Sequence, residues 1–299
     1  MQKRGNQSSR NGLLLFEVNE STELLPFLLQ QMSGRSRNSV KSILTRGQVK
    51  VDDHIETKHN YPLVPGQVVS VLKNKVAVKE SVLIGMNILY EDDSIIVINK
   101  DAGLLSIATE KEKKRTALHQ LMNHVKLENP MNRVFVVHRL DKETSGVMMF
   151  AKSEKIKRQL QDNWKKIVKE RTYIALVEGR MKQAEGTIKT YLKESSTHKM
   201  YSVQDKGGQL AITHYRLVQS NEEFSLVEAQ LETGRKNQIR VHLSDMGHPV
   251  VGDKKYGAKT NVIGRLGLHA KTLSFTHPVS GKLMLFKADV PKQFLTKSR

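Results

Sequence analysis

Residues 138 to 146 read His138-Arg139-Leu140-Asp141-Lys142-Glu143-Thr144-Ser145-Gly146, a polar run held between two apolar ones. Upstream lies Val134-Phe135-Val136-Val137 and downstream Val147-Met148-Met149-Phe150-Ala151, both rich in β-branched, aromatic or long apolar side chains. Short apolar runs of this kind bounded by turn-forming residues predict strands. Asp141 therefore belongs to a loop at the end of a buried strand, where functional groups concentrate. A carboxylate next to the Arg139 guanidinium is available as an anion, and so as a base or a nucleophile. Taken alone, an Arg-x-Asp pair also serves to tie down a turn, so the case for chemistry depends on what surrounds it.

The surroundings are basic. The chain of 299 residues carries 49 Lys+Arg against 30 Asp+Glu, a formal charge of +19. Residues 1 to 80 hold 12 basic and 7 acidic side chains, +5, which leaves +14 for the remainder. Both parts are thus expected to face a polyanion. There is no cysteine, which excludes disulfides, thiolate metal sites and a cysteine nucleophile. The first eleven residues lack an apolar h-region, and no apolar run reaches the roughly 18 residues a membrane helix needs. A cytoplasmic protein with no membrane partner is expected.

Three later stretches belong with the first. They are Lys169-Glu170-Arg171-Thr172-Tyr173-Ile174-Ala175-Leu176-Val177-Glu178-Gly179, then Thr233-Gly234-Arg235-Lys236-Asn237-Gln238-Ile239-Arg240-Val241-His242, then Gly247-His248-Pro249-Val250-Val251-Gly252-Asp253 with Leu268-His269-Ala270. In this order they resemble the RluA-type pseudouridine synthases, whose signature His-Arg-Leu-Asp-x-x-Thr-Ser-Gly is matched at every fixed position by residues 138 to 146. The resemblance spans about residues 88 to 292. Two positions depart from the family pattern: Asn237 stands where histidine is usual, and Asp101 where proline is usual.

The resemblance implies an α+β catalytic domain over 88–295 with a mainly antiparallel mixed sheet. It implies isomerisation of uridine within RNA, with the N1-to-ribose bond cut and the base rejoined through C5. Asp141 would be the catalytic carboxylate, paired with Arg240, and Tyr173 would stack on the base and serve proton transfer. Ile239 would pack on the other face of the ring, Arg139 would fill the space left by the flipped base, and Arg235 and His138 would contact substrate. No cofactor and no metal are implied. Ribosomal RNA is the favoured substrate, with transfer RNA as the alternative, and a monomer is expected.

The front of the chain reads as a separate small domain. Residues 1–12 are polar and predict a disordered tail. Leu24, Phe27, Leu28 and Met32 are spaced for a helix over Thr22–Met32 capped by Ser21 or Thr22. Ser36 or Asn38 would cap a second helix that buries Val40, Ile43 and Leu44 and ends at Gly47. Strands follow at Gln48–Val51 and Val68–Leu72. This order resembles the S4 RNA-binding domain, assigned here to 13–75 with a linker at 76–87, and implies RNA contacts by Arg35, Arg37, Lys41 and Arg46. The usual early Arg-Leu-Asp is replaced by Glu23-Leu24-Leu25, and the usual Asn-Gly turn by Asp52-Asp53.

Further on, Ile88–Lys100 predicts two strands around an acidic turn. Thr116 would cap a helix carrying Leu118, Leu121, Met122 and Val125, and Ser153 one carrying Ile156, Leu160, Trp164 and Ile167. From Tyr173 onward short strands are expected. Other chemistries fit less well. His119 and His124 are five apart, not the four that set two metal ligands on one helix face. Gly247–Lys254 imitates a phosphate loop, but Asp253 occupies the lysine position. Ser145 lacks a Gly-x-Ser-x-Gly elbow, which leaves hydrolase as the enzyme runner-up, and a non-catalytic RNA-binding protein as the alternative from another class.

Overall fold

The computed structural model describes residues 8–10, 13–72, 83–204 and 207–299. They divide into two compact units, one from residues 1–82 with 123–132, the other from 83–122 with 133–299.

The first unit contains β1 (Ser8–Arg10), β2 (Leu13–Glu17), β3 (Thr22–Glu23), α1 (Leu24–Gln31), α2 (Arg37–Thr45), β4 (Val49–Val51), β5 (His54–Ile55), β6 (Pro62–Leu63) and β7 (Val68–Leu72). Its sheet runs β1-β2-β7-β4-β5. The two helices and this sheet share one core, with Leu24, Leu28, Val40, Leu44, Val49 and Val69 fully buried. The Ser36 hydroxyl caps α2 by accepting the Ser39 N–H at 3.3 Å, and Gly47 ends it at φ 67°. α1 starts later than its spacing suggested. Thr22 and Glu23 pair instead with Leu63 and Pro62, and Glu23 takes the cap position without a side-chain bond. Ser8–Arg10 pairs antiparallel with Leu13–Leu15, so a strand replaces part of the expected tail. The linker reading falls largely on residues 73–82, outside the described residues. Asp52 and Asp53 both take positive φ, 47° and 67°, in the β4–β5 hairpin. They adopt the left-handed pair that a two-residue hairpin requires and that Asn-Gly usually supplies.

The second unit follows with β8 (Met86–Glu91), β9 (Ile95–Lys100), α3 (Ala117–Glu128), β10 (Phe135–Val136), β11 (Ser145–Ala151), α4 (Glu154–Asp162), α5 (Trp164–Ile167) and β12 (Val168–Glu178). Then come β13 (Glu185–Glu194), β14 (Met200–Val203), β15 (Gln209–Ser220), β16 (Phe224–Leu231), α6 (Gln238–Asp245), β17 (Leu268–Thr276), β18 (Leu283–Lys287) and α7 (Lys292–Lys297). α3 residues 123–128 group with the first unit. The sheet order is β14-β13-β15-β16-β12-β17-β11-β9-β8, with β10 on β11 and β18 on β17. Among its described strands every pairing is antiparallel except β11 with β17, where Ser145 and Gly146 lie beside His269 and Ala270. That junction positions the site, because Asp141 precedes β11 by four residues. All of β11 is buried, and Val147 and Met149 share a core with Ile156 and Leu160 of α4. The helix expected to run through Ile167 breaks at Asn163, where α4 ends and the single turn α5 begins. The strands after Tyr173 are long, not short: β15 spans 12 residues.

Candidate active site

Gly146 makes the junction possible. Its φ is 111°, and a Cβ there would sit 2.1 Å from the Ala270 carbonyl oxygen. Only glycine allows β11 to approach β17 so closely. The loop before it is anchored from below by Lys100, whose side chain is fully buried. Its ammonium donates to the carbonyls of Asp101 (2.9 Å), Leu104 (2.7 Å) and Lys142 (3.0 Å). Burial pushes the Lys100 pKa down to about 8.

The opposite wall comes from α6, and a buried glutamine aims it. Gln238 accepts from the Thr233 hydroxyl and the Arg235 N–H through Oε1, and donates through Nε2 to the Ile212 carbonyl and the Thr213 hydroxyl. Both amide donors and both acceptor sites are used, so the turn entering α6 is fixed to β15. Asn237 heads the helix at φ 54°, a left-handed position that asparagine tolerates better than most residues.

Arg240 sits between two carboxylates. Its Nε and Nη2 donate to Asp253 Oδ2 and Oδ1 at 2.6 and 2.8 Å, a bidentate pair, and its Nη1 donates to Asp141 Oδ2 at 2.9 Å. The guanidinium also lies over the Tyr256 ring at 5.0 Å. Burial works against this cation, but Asp253 and then Asp141 outweigh it and push its pKa up. The Asn237 amide donates to the same Asp141 Oδ2 at 2.6 Å and accepts the Tyr256 hydroxyl at 3.1 Å. One oxygen is thus held by two groups while the other, Oδ1, has no hydrogen-bond donor among the described residues.

That carboxylate faces a small pocket of about 80 Å³ walled by Tyr173, Ile239, Leu231 and Leu268. Ile239 is 4% exposed and packs in one core with Tyr173. Burial pushes the Tyr173 phenol up, Arg171 opposes this and Asp141 adds to it, so the hydroxyl keeps its proton at neutral pH. The pocket shares Arg139, Tyr173, Leu231 and Arg235 with a larger cleft of about 760 Å³.

The residues singled out from sequence come together unequally. Asp141, Arg240, Tyr173 and Ile239 meet at the small pocket. Arg139 is exposed on the shared wall and makes no ion pair among the described residues, so the neighbour of Asp141 in sequence is not its partner in space. Arg235 lines the cleft but commits its Nε to the Leu210 carbonyl at 2.9 Å. His138 is turned inward. Its Nε2 accepts the Met149 N–H at 3.1 Å, its ring lies 5.1 Å from Trp164, and burial pushes its pKa down to about 3. It reaches the cleft as a neutral wall. Arg35, Arg37 and Arg46 are exposed and Lys41 half-buried on and around α2, in the first unit. No metal-binding cluster occurs among the described residues, and Asp253, which spoiled the phosphate-loop pattern, spends its charge on Arg240. Asp253, Gln238 and Tyr256 were not singled out. The first lies in a quoted motif, but nothing local says that its carboxylate faces a guanidinium 13 residues back.

Residues 94–245 match the family described as RNA pseudouridylate synthase, half of the chain. The chain belongs to this family, which are isomerases. The synthase is 32% identical over 290 residues to the uncharacterized RNA pseudouridine synthase YhcT of Bacillus subtilis, covering 96% of each chain. It is 34% identical over 272 residues to the ribosomal large subunit pseudouridine synthase D of Vibrio vulnificus, covering 86% of this chain and 83% of that one. Among solved structures, human RNA pseudouridylate synthase domain containing 4 superposes with a TM-score of 0.57 at 26% identity, covering 71% of the synthase and 91% of that chain. The shared fold is a mixed α/β one with a mainly antiparallel sheet. Among the described residues no helix is long and apolar enough to cross a membrane.

Proposed function

We propose that this synthase isomerises uridines in structured ribosomal RNA, with Asp141 as the catalytic carboxylate. The observation that carries the reading is the Asp141 side chain, held through Oδ2 by Arg240 and Asn237 and lining a pocket walled by an aromatic and an aliphatic residue. A uracil ring slides between Tyr173 and Ile239, which sandwich it while Asp141 acts on the base or the ribose. The N1-to-ribose bond breaks, the base turns, C5 bonds to the ribose, the C5 proton leaves by way of the Tyr173 hydroxyl, and N1 takes up a proton in its place. Atoms balance within the nucleotide, so no redox group or energy source enters. A stacked base does not fit so small a pocket within a helix, so the uridine is flipped out and Arg139, exposed at the rim, takes its place. Arg235 and His138 complete the substrate wall.

The ribosomal substrate is supported by the Vibrio relative named for the large ribosomal subunit. Residues 13–75 act as an S4-like RNA-binding domain ahead of a catalytic domain at 88–295. This part of the reading is supported by α2, where Arg37 and Lys41 lie four residues apart at the edge of the stripe that buries Val40, Ile43 and Leu44, Arg37 exposed and Lys41 half-buried.

Tritium release from RNA labelled at uridine C5 tests the chemistry. It is expected to disappear in Asp141→Asn while RNA binding persists, and full turnover by that variant would remove Asp141 from its role. Pseudouridine mapping across all cellular RNAs with and without the gene names the substrate.

A further inference from the structure

The 760 Å³ cleft does not end at its own rim. It shares Trp164, Lys165, Arg171, Leu231, Glu232 and Thr233 with a second trough of about 310 Å³ that runs over β12, β15 and β16. Val168, Leu210 and Ile212 give this trough an apolar strip, Lys165 and Lys169 stand exposed at its edge, and its two carboxylates, Glu170 and Glu232, are engaged by Thr172 and His214. An apolar strip with a cationic rim suits a single nucleic-acid strand, whose bases seek stacking surface and whose phosphates seek charge.

Arg171 stands where the two clefts meet. It lies over the Trp164 ring at 5.7 Å, and its Nη2 makes one long hydrogen bond, 3.4 Å, to the Leu231 carbonyl. A guanidinium has five N–H donors. Among the described residues no carboxylate pairs with it: Glu170 accepts the Thr172 hydroxyl at 2.8 Å, and Glu232 faces His214 at 3.3 Å. The space it occupies is kept clear, since a Cβ on Gly234 would fall 2.6 Å from its Nη1. A half-buried cation with unused donors facing two clefts is incomplete without an anion.

We propose that Arg171, seated on Trp164, binds a phosphodiester next to the flipped uridine, and that the RNA strand continues from there into the second trough past Lys165 and Lys169. This rests on the reading that the small pocket takes the target base. Planar, bidentate capture of phosphate is what guanidinium does better than ammonium. The clamp therefore fixes the strand's register as well as adding affinity.

Trp164 is the chain's only tryptophan, so intrinsic fluorescence reports this spot alone. The full-length protein is titrated with a single-stranded oligouridylate of about ten residues, matched to typical single-strand site sizes. Trp164 emission should change on binding. Arg171→Gln should bind about ten-fold or more weakly, with a slope of log affinity against log salt shallower by about 0.7, and Arg171→Lys should recover part of the loss. The exposed double variant Lys165→Gln/Lys169→Gln should show a smaller loss in the same direction, which keeps the test open if Arg171→Gln folds poorly. Binding with silent Trp164 emission and unchanged affinity in these variants would overturn the clamp. Asp141→Asn should bind and report like the wild type. Turnover retained in Asp141→Asn would therefore sink the catalytic assignment alone, and silent Trp164 emission with unchanged affinity in the Arg171 and lysine variants the clamp alone.

Discussion

Asp253 shows how one residue outside the pair of Asp141 and Arg240 positions it. Its carboxylate is 2% exposed and takes two of the three hydrogen bonds that orient Arg240. Asp253→Asn leaves a buried guanidinium half-compensated, which should lower stability by about 3 to 5 kcal/mol in denaturant titration and reduce turnover more than RNA affinity. A variant with wild-type midpoint and rate would show that Asp141 needs no such support. Three histidines set a pH limit. Burial pushes His138 down to about 3 and His242 and His269 down to about 4, so each stays neutral in the folded protein where the unfolded chain takes up a proton. Stability is then complete above pH about 6.5 and falls as pH drops toward 4, by up to about 1.4 kcal/mol per unit for each histidine. Denaturant midpoints at pH 7, 6 and 5 check this, and a flat series would contradict it. Asp141 and Arg240 were each visible in their motifs, because both fall within short strings that match the family signature. The partners that hold them were not, since Asp253, Asn237 and Tyr256 meet only through the turn of the chain after α6.

At the scale of elements, two glycines with similar backbones separate strain from space. Gly146 and Gly103 have φ of 111° and 89°, but only at Gly146 would a Cβ strike backbone. Gly146→Ala should destabilise by more than about 4 kcal/mol or prevent folding, whereas Gly103→Ala should cost only about 1 to 2 kcal/mol. Melting curves of the two proteins decide it, and equal losses would mean that strain alone is at work. The strand pairs around Asp141 were legible because β9 and β11 are apolar and end at turn residues. β13 was harder, because its side chains are mostly exposed or half-buried and polar, which leaves little periodicity to read. The end of α4 was also hidden. Trp164 and Ile167 continue its apolar spacing, but Asn163 stops the helix and turns Trp164 toward the cleft.

Over the whole molecule the charge is divided, +5 in residues 1 to 80 and +14 beyond. Removing residues 1 to 75 should weaken RNA affinity and flatten its salt dependence more than it slows turnover at saturation. Binding isotherms across a salt series test this, and an unchanged slope would take the front unit out of RNA binding. The grouping of residues 123–132 with the first unit was not readable from the sequence, because helix α3 has no break to announce it. The seam at Gly146 has a consequence in time. Ser145 bonds to His269, 124 residues later, and Asp141 to Arg240, 99 residues later. Because translation proceeds from the N-terminus, a growing polypeptide exposes its acid long before the groups that aim it have been made. If Asp141 carries the chemistry as proposed, a newborn chain is inert until its last quarter, with Arg240, Asp253 and His269, has been released and docked.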